Sequence, residues 1–140
     1  MKPTPLYTAT AVSTGDARNG RVQSSDGIID TDVRVPKEMG GAGGATNPEQ
    51  LFAAGYASCF HQALKLVAGR AKADTTDSEV VADVSIIDNG QGGFQLAVAL
   101  EVTLPNVPAD LAQELVEQAH HVCPYSNATR GNIEVALSVA

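Results

Sequence analysis

No stretch of this sequence reaches the roughly 18 consecutive apolar residues that a membrane-spanning helix needs. The start, Met1-Lys2-Pro3-Thr4-Pro5, also lacks the apolar segment of a secretory signal. Both absences lead to the expectation of a cytoplasmic protein with no membrane partner. Positive charge is scarce: 9 Lys and Arg against 16 Asp and Glu leave a net charge of -7, so the overall field repels polyanions. No nucleic acid is expected as a partner, and no run of like charges alters that. Internal repeats are missing too. Cysteine occurs only twice, at Cys59 and Cys123. A reducing cytosol keeps most such pairs as thiols, and the disulfides found there are usually transient and catalytic.

What is present suffices for one domain. With 44% hydrophobic residues, 140 residues can bury a core without disulfides or metals to help. Leu6–Val12 and Ile29–Val35 suit strands, the second with Ile29, Thr31, Val33 and Val35 on one face. The glycine-rich stretch Met39–Ala45 lacks the Gly-Lys-Ser/Thr ending of a phosphate loop and reads as a connector. A helix is signalled next: Thr46 and Asn47 are good N-caps, Pro48 suits the first turn, and Glu49 stands three residues after Thr46 as in a capping box. From Leu51 to Phe60 nearly every side chain is apolar or small, which predicts a helix buried on most sides.

Val80, Ala82, Val84 and Ile86 then alternate, Gly90-Gln91-Gly92-Gly93 turns, and Phe94, Leu96, Val98, Leu100 and Val102 alternate again, the pattern of a hairpin. A second helix is predicted over Pro108–Val122, with Leu111, Leu115, Ala119 and Val122 on one stripe, ended by Cys123-Pro124. A last strand points Ile133, Val135, Leu137 and Val139 inward. Strands, helix, hairpin, helix and strand in that order predict an α+β domain spanning residues 1–140, with antiparallel sheet and helices packed on it.

Cys59 lies within the most apolar helix. A buried thiol with no charge nearby is inert, so a reactive Cys59 needs a cation within about 6 Å, and its own helix offers only His61. Cys123 ends the second helix, where exposed carbonyls disfavour an anion. It is suited to remain protonated and condense later with a sulfenic acid. Zinc is the competing chemistry, through Cys59, His61, His120, His121 and Cys123. Adjacent residues on a helix point about 100° apart, so His120 and His121 cannot easily share an ion. They read as surface residues favoured as imidazolium near a helix C-terminus. Leu51, Phe52, Tyr56 and Phe60 surround the cysteine. Each alone is a core residue, but Phe52, Tyr56 and Phe60 are also candidates to line a hydrophobic substrate pocket.

Three segments resemble those of the organic hydroperoxide resistance proteins, Ohr, of the OsmC/Ohr superfamily: Leu6–Ala9, Thr46–Phe60, and Cys123-Pro124-Tyr125-Ser126-Asn127-Ala128-Thr129-Arg130-Gly131-Asn132. The resemblance runs in order through the whole chain. It implies an intertwined homodimer with antiparallel sheets around central helices. It further implies a peroxidase for alkyl and fatty-acid hydroperoxides that binds no cofactor or metal and is recycled by dihydrolipoamide or a lipoylated protein. Carried over residue by residue, the attacking cysteine falls on Cys59, the resolving cysteine on Cys123 and the glutamate on Glu49. The arginine falls on Arg18, with Arg21 the alternative because the Gly15–Arg21 loop holds an extra residue. The glycine-rich loop lacks the family's proline and is about one residue short. Sister readings are an OsmC-type osmotic-stress peroxidase and a non-enzymatic thiol sensor.

Ten residues of straight helix set Glu49 and Cys59 about 15 Å apart. Two copies of the helix crossing antiparallel near Ala53-Ala54-Gly55 would bring Glu49 of one level with Cys59 of the other, predicting two composite sites per homodimer.

Overall fold

The computed structural model describes residues 2–140. In chain order the elements are β1 (Ala11–Thr14), β2 (Arg21–Ser24), β3 (Asp30–Asp32), α1 (Pro48–Arg70), β4 (Glu79–Asp88), β5 (Phe94–Thr103), α2 (Ala109–Val122), α3 (Pro124–Thr129) and β6 (Val135–Val139). The chain forms two compact units, one ending at Leu51 and one over Phe52–Ala140, with the boundary inside α1. Among the described residues no helix is long and apolar enough to cross a membrane.

In the first unit β1, β2 and β3 form an antiparallel sheet in that order, with Ala11 opposite Ser24 and Arg21 opposite Asp32. The strand expected over Leu6–Val12 is displaced. Pairing begins only at Ala11, and Leu6 and Tyr7 lie exposed. Alternation makes a strand only where a neighbour takes up its N–H and C=O groups, and among the described residues that neighbour is met only from Thr10 on, whose carbonyl accepts from the Ser25 N–H at 2.9 Å. β2 carries no apolar alternation beyond Val22, so its sequence gives little sign of a strand. The alternation of Ile29–Val35 holds at its centre: Thr31 is half-buried and Val33 buried, and Val33 bridges to Thr46.

The helix start is capped differently from the expected box. The Gln50 N–H donates to Asn47 Oδ1 at 2.9 Å, making Asn47 the N-cap and Pro48 the first helical residue, where a missing N–H costs nothing. The Thr46 hydroxyl donates to Gln50 Oε1. Glu49 is thereby free of capping and turns elsewhere.

The second unit holds the core. β4 and β5 pair antiparallel over their full length, Val80 opposite Val102 and Ile86 opposite Leu96, and the Gly93 N–H donates to the Asn89 side chain at the turn. β6 lies parallel to β5, so this sheet is mixed rather than wholly antiparallel. A parallel neighbour requires a long crossover, and α2 with α3 provides it. Phe94, the first residue of that alternation, is exposed at the hairpin end.

Tyr56, Phe60, Leu64 and Val67 of α1, spaced three and four apart, pack with Val98, Leu100 and Val102 of β5 and with Ala112, Leu115, Val116 and Ala119 of α2. Full burial of a Leu or Phe side chain is worth about 1.5–3 kcal/mol. α1 is nevertheless not buried on most sides. Leu51, Ala54, Ser58 and Leu66 remain exposed along its other face, which no element of the described residues covers.

Gly55 has a packing reason. A Cβ there would stand 2.6 Å from the Tyr125 hydroxyl and 3.2 Å from two atoms of its ring, whereas one at Gly69 would meet nothing within 4 Å. Gly69→Ala should raise the unfolding free energy by about 0.4–1 kcal/mol through helix propensity and unfolded-state entropy. Gly55→Ala should lower it by about 1 kcal/mol, because overpacking outweighs that gain. Denaturant titration of both variants checks this, and equal gains would contradict the packing.

Candidate active site

Cys59 follows Tyr56 by one turn of α1. Cys123 ends α2 and begins α3: its N–H donates to the Ala119 carbonyl at 2.8 Å, and Pro124, with no N–H, breaks the helix and starts the next. The Cys123 side chain caps α3, with Sγ accepting from the Ser126 N–H at 3.5 Å. The sequence placed Cys123 at the carbonyl end of a helix. It lies there and at the amide end of another, so a donor offsets the carbonyls. Its thiol points at Cys59, with the two sulfurs 3.6 Å apart and both free. A disulfide bond is about 2.05 Å long, so closure requires an approach of only about 1.5 Å.

Burial pushes the Cys59 thiol above its ordinary pKa, the Tyr125 backbone N–H pulls it down, and Cys123 beside it pushes it up again. No cation of the described residues is among these influences. His61 is turned away, its Nε2 2.8 Å from the Ser78 hydroxyl. His120 differs from the surface imidazolium expected. It is half-buried with Nδ1 unpartnered, and burial, then Arg130 and His121, lower its pKa. Among the described residues no three His, Cys, Asp or Glu side chains are grouped to hold a metal ion.

The second constellation is an ion pair. A 3-10 turn at Ala17–Asn19 joins β1 to β2 and presents Arg18, whose Nη1 and Nη2 donate to the Glu49 carboxylate at 3.0 and 2.9 Å. This two-pronged geometry orients as well as binds. Gly20 closes the turn so tightly that a Cβ would fall 2.1 Å from the Thr14 carbonyl oxygen. Arg34, which the sequence did not single out, braces the turn by donating to the Gly20 and Val33 carbonyls. Arg21, the alternative to Arg18, is engaged by Asp30 and Asp32. The register explains it: Arg21 lies directly opposite Asp32 on β3.

Of the pocket candidates, Tyr56 and Phe60 are wholly buried and pack in the core. Phe52 is partly buried, its ring edge-on to Tyr56 and Tyr125. The groove at Cys59, about 480 Å3, is lined by Ser58, Gln62, Ala63, Leu66, Val122 and Pro124. Leu66 and Val122 carry no sequence signal for this role beyond being apolar at exposed helical positions.

Glu49 is held below its ordinary value of 4.5, first by the Arg18 hydrogen bonds, with burial opposing. A carboxylate with a depressed folded pKa stabilises above its unfolded pKa, and that contribution is lost as pH falls through the folded one. The gap in thermal midpoint between wild type and Glu49→Gln should therefore be present at neutral pH and close as the pH drops below 4.5. A gap independent of pH would contradict the pairing.

A family model described as OsmC-like protein matches residues 41–138. The organic hydroperoxide resistance protein of Xanthomonas axonopodis pv. citri is 52% identical over 137 residues, which cover 96% of this chain and 95% of that one. The organic hydroperoxide resistance protein OhrA of Bacillus subtilis is 48% identical, with 97% of each chain covered. The crystal structure of an organic hydroperoxide resistance protein from Elizabethkingia anophelis superposes with a TM-score of 0.93, at 51% identity over 99% of each chain.

Proposed function

Since this chain belongs to the OsmC-like family, among its organic hydroperoxide resistance proteins, we propose that it is a cytoplasmic thiol peroxidase in which Cys59 attacks and Cys123 resolves. The observation that carries this reading is the pair of free sulfurs 3.6 Å apart, one on α1 and one where α2 gives way to α3. The Cys59 thiolate attacks the distal oxygen of an organic hydroperoxide. The O–O bond breaks, the alkoxide takes a proton and leaves as alcohol, and Cys59 becomes a sulfenic acid. Cys123 then displaces the sulfenic hydroxyl as water, closing the disulfide. A dithiol reductant reopens it by two exchanges and is itself oxidised to a disulfide. A dihydrolipoyl group, free or on a protein, is the reductant the resemblance suggests. The largely apolar groove at Cys59 favours bulky organic peroxides over hydrogen peroxide.

The attack needs a positive charge, and no cation of the described residues is among the influences on the thiol. α1 runs unbroken from Pro48 to Arg70, which puts Glu49 about 15 Å along the axis from Cys59. A homodimer meets the need. Ala54 is midway between residues 49 and 59, small, and on the open face of α1. Two copies crossing antiparallel at Ala54 set the Arg18–Glu49 pair of one level with Cys59 of the other. Gly55, which sequence grouped with this contact, is taken up by Tyr125 of its own chain. Arg18 then supplies a permanent charge, oriented by Glu49. Lowering a thiol pKa from about 8.5 to about 6 raises the thiolate fraction at neutral pH from a few per cent to around 90%.

Peroxide consumption under dihydrolipoamide recycling tests the reading. Cys59→Ser should abolish the first oxidation, whereas Cys123→Ser should keep it and accumulate sulfenic or sulfinic acid at Cys59. Unimpaired turnover in Cys59→Ser would refute the proposal, and a single oxidation without recycling in the wild type would favour a sensor.

A further inference from the structure

Three hydroxyls lie buried behind the two sulfurs. Tyr56 Oη is 2.8 Å from Ser126 Oγ and 3.0 Å from Thr129 Oγ1, and the Thr129 hydroxyl reaches the Ser126 carbonyl at 3.3 Å. Tyr56 and Ser126 are wholly inaccessible. One arrangement of protons satisfies all three groups: Ser126 donates to Tyr56, Tyr56 to Thr129, and Thr129 to the Ser126 carbonyl. Buried hydroxyls require such partners, so the cluster has a stability role in any case. Its connectivity indicates more.

Ser126 grips both ends. Its side chain holds Tyr56, and its backbone N–H holds Cys123 Sγ. Tyr56 stands one turn before Cys59 on α1, and Cys59 Sγ lies 3.6 Å from Cys123 Sγ. The path Cys59, α1, Tyr56, Ser126, Cys123 and back to Cys59 is therefore a closed ring. Its two halves are far apart in sequence, and the Tyr56 hydroxyl is the hydrogen-bonded link between them on the side away from the sulfurs. A phenylalanine would fill the same core volume, so the hydroxyl itself is what joins α1 to the Cys123 segment.

We propose that the Tyr56 hydroxyl is a positioning group for disulfide closure: through Ser126 it keeps the Cys123 sulfur within reach of the oxidised Cys59. This rests on the peroxidase reading above. In the step it serves, a sulfur lone pair of Cys123 forms the S–S bond, the S–O bond of the Cys59 sulfenic acid breaks, and the hydroxyl leaves with the thiol proton as water. Slower closure leaves the sulfenic acid open to a second hydroperoxide, which oxidises it to sulfinic acid and is reduced to alcohol.

The competition between these two fates is the readout, because it is independent of the rate of the first attack. Reduced full-length protein is exposed to graded cumene hydroperoxide without reductant, and the state of Cys59 is read by mass spectrometry. Tyr56→Phe should lower the peroxide concentration that converts half of Cys59 to sulfinic acid by roughly tenfold or more, as expected for loosened alignment of reacting groups. Ser126→Ala should shift it in the same direction and serves if Tyr56→Phe fails to fold. Val67→Ala, a core truncation on the same helix that touches none of the hydroxyls, should leave it unchanged. An unshifted concentration in the folded hydroxyl variants, or an equal shift in Val67→Ala, overturns the inference. A wild type that forms no Cys59–Cys123 disulfide defeats the peroxidase reading itself, and this inference with it.

Discussion

The unbroken run of α1 is the constraint around which the rest is arranged. A continuous helix holds residues at a fixed rise, so Glu49 and Cys59 stay about 15 Å apart along the axis however the surrounding side chains pack. The Asn47 cap and Pro48 fix where the helix begins. One face, Tyr56 to Val67, is anchored to β5 and α2, which fixes its rotation. Within each unit the helix then places what it carries. Cys59 meets Cys123, Gly55 receives Tyr125, and Glu49 receives Arg18.

The two constellations differ in electrostatics. At Arg18 and Glu49 opposite charges favour each other's ionised forms, and the pair holds a permanent cation in a set direction. At Cys59 the environment within the chain opposes ionisation, burial being the first cause. A cation brought beside such a thiol would favour its thiolate. Under the proposed assembly, that makes activation of the nucleophile a consequence of subunit association, and the open face of α1 with Ala54 at its centre is where the association would occur.

Much of this was legible in the residues. The alternation of Val80–Ile86 and Leu96–Val102 identified the hairpin, Asn47-Pro48 marked the start of α1, and Cys123-Pro124 marked the end of α2. These signals are local, depending on periodicity or on one residue's backbone chemistry. The parallel placement of β6, the short helix α3 and the strand β2 were not legible. Six residues are too few to show a helical period, and Arg21–Ser24 has one apolar side chain. The choice between Arg18 and Arg21 turns on register. Once β2 lies against β3, Arg21 faces Asp32, while Arg18 sits on a turn with no cross-strand partner and can reach Glu49. The lining of the groove was not legible for a related reason. The aromatic residues near Cys59 in sequence face the core, and the residues that line the groove come from both α1 and the α2–α3 junction.

Subunit complementation tests the central claim, that the charge serving one subunit's thiol comes from the other. Cys59→Ser and Glu49→Ala chains, each impaired as a homodimer, are co-expressed with different tags and the mixed dimer is isolated. If sites are composite, one of the two joins an intact Cys59 to an intact Arg18–Glu49 pair, and the mixed dimer should regain about half the wild-type hydroperoxide turnover, as two-fold symmetry requires. If each chain builds its own site, both sites of the mixed dimer carry a defect, and turnover no higher than the mean of the two parent homodimers would contradict the account.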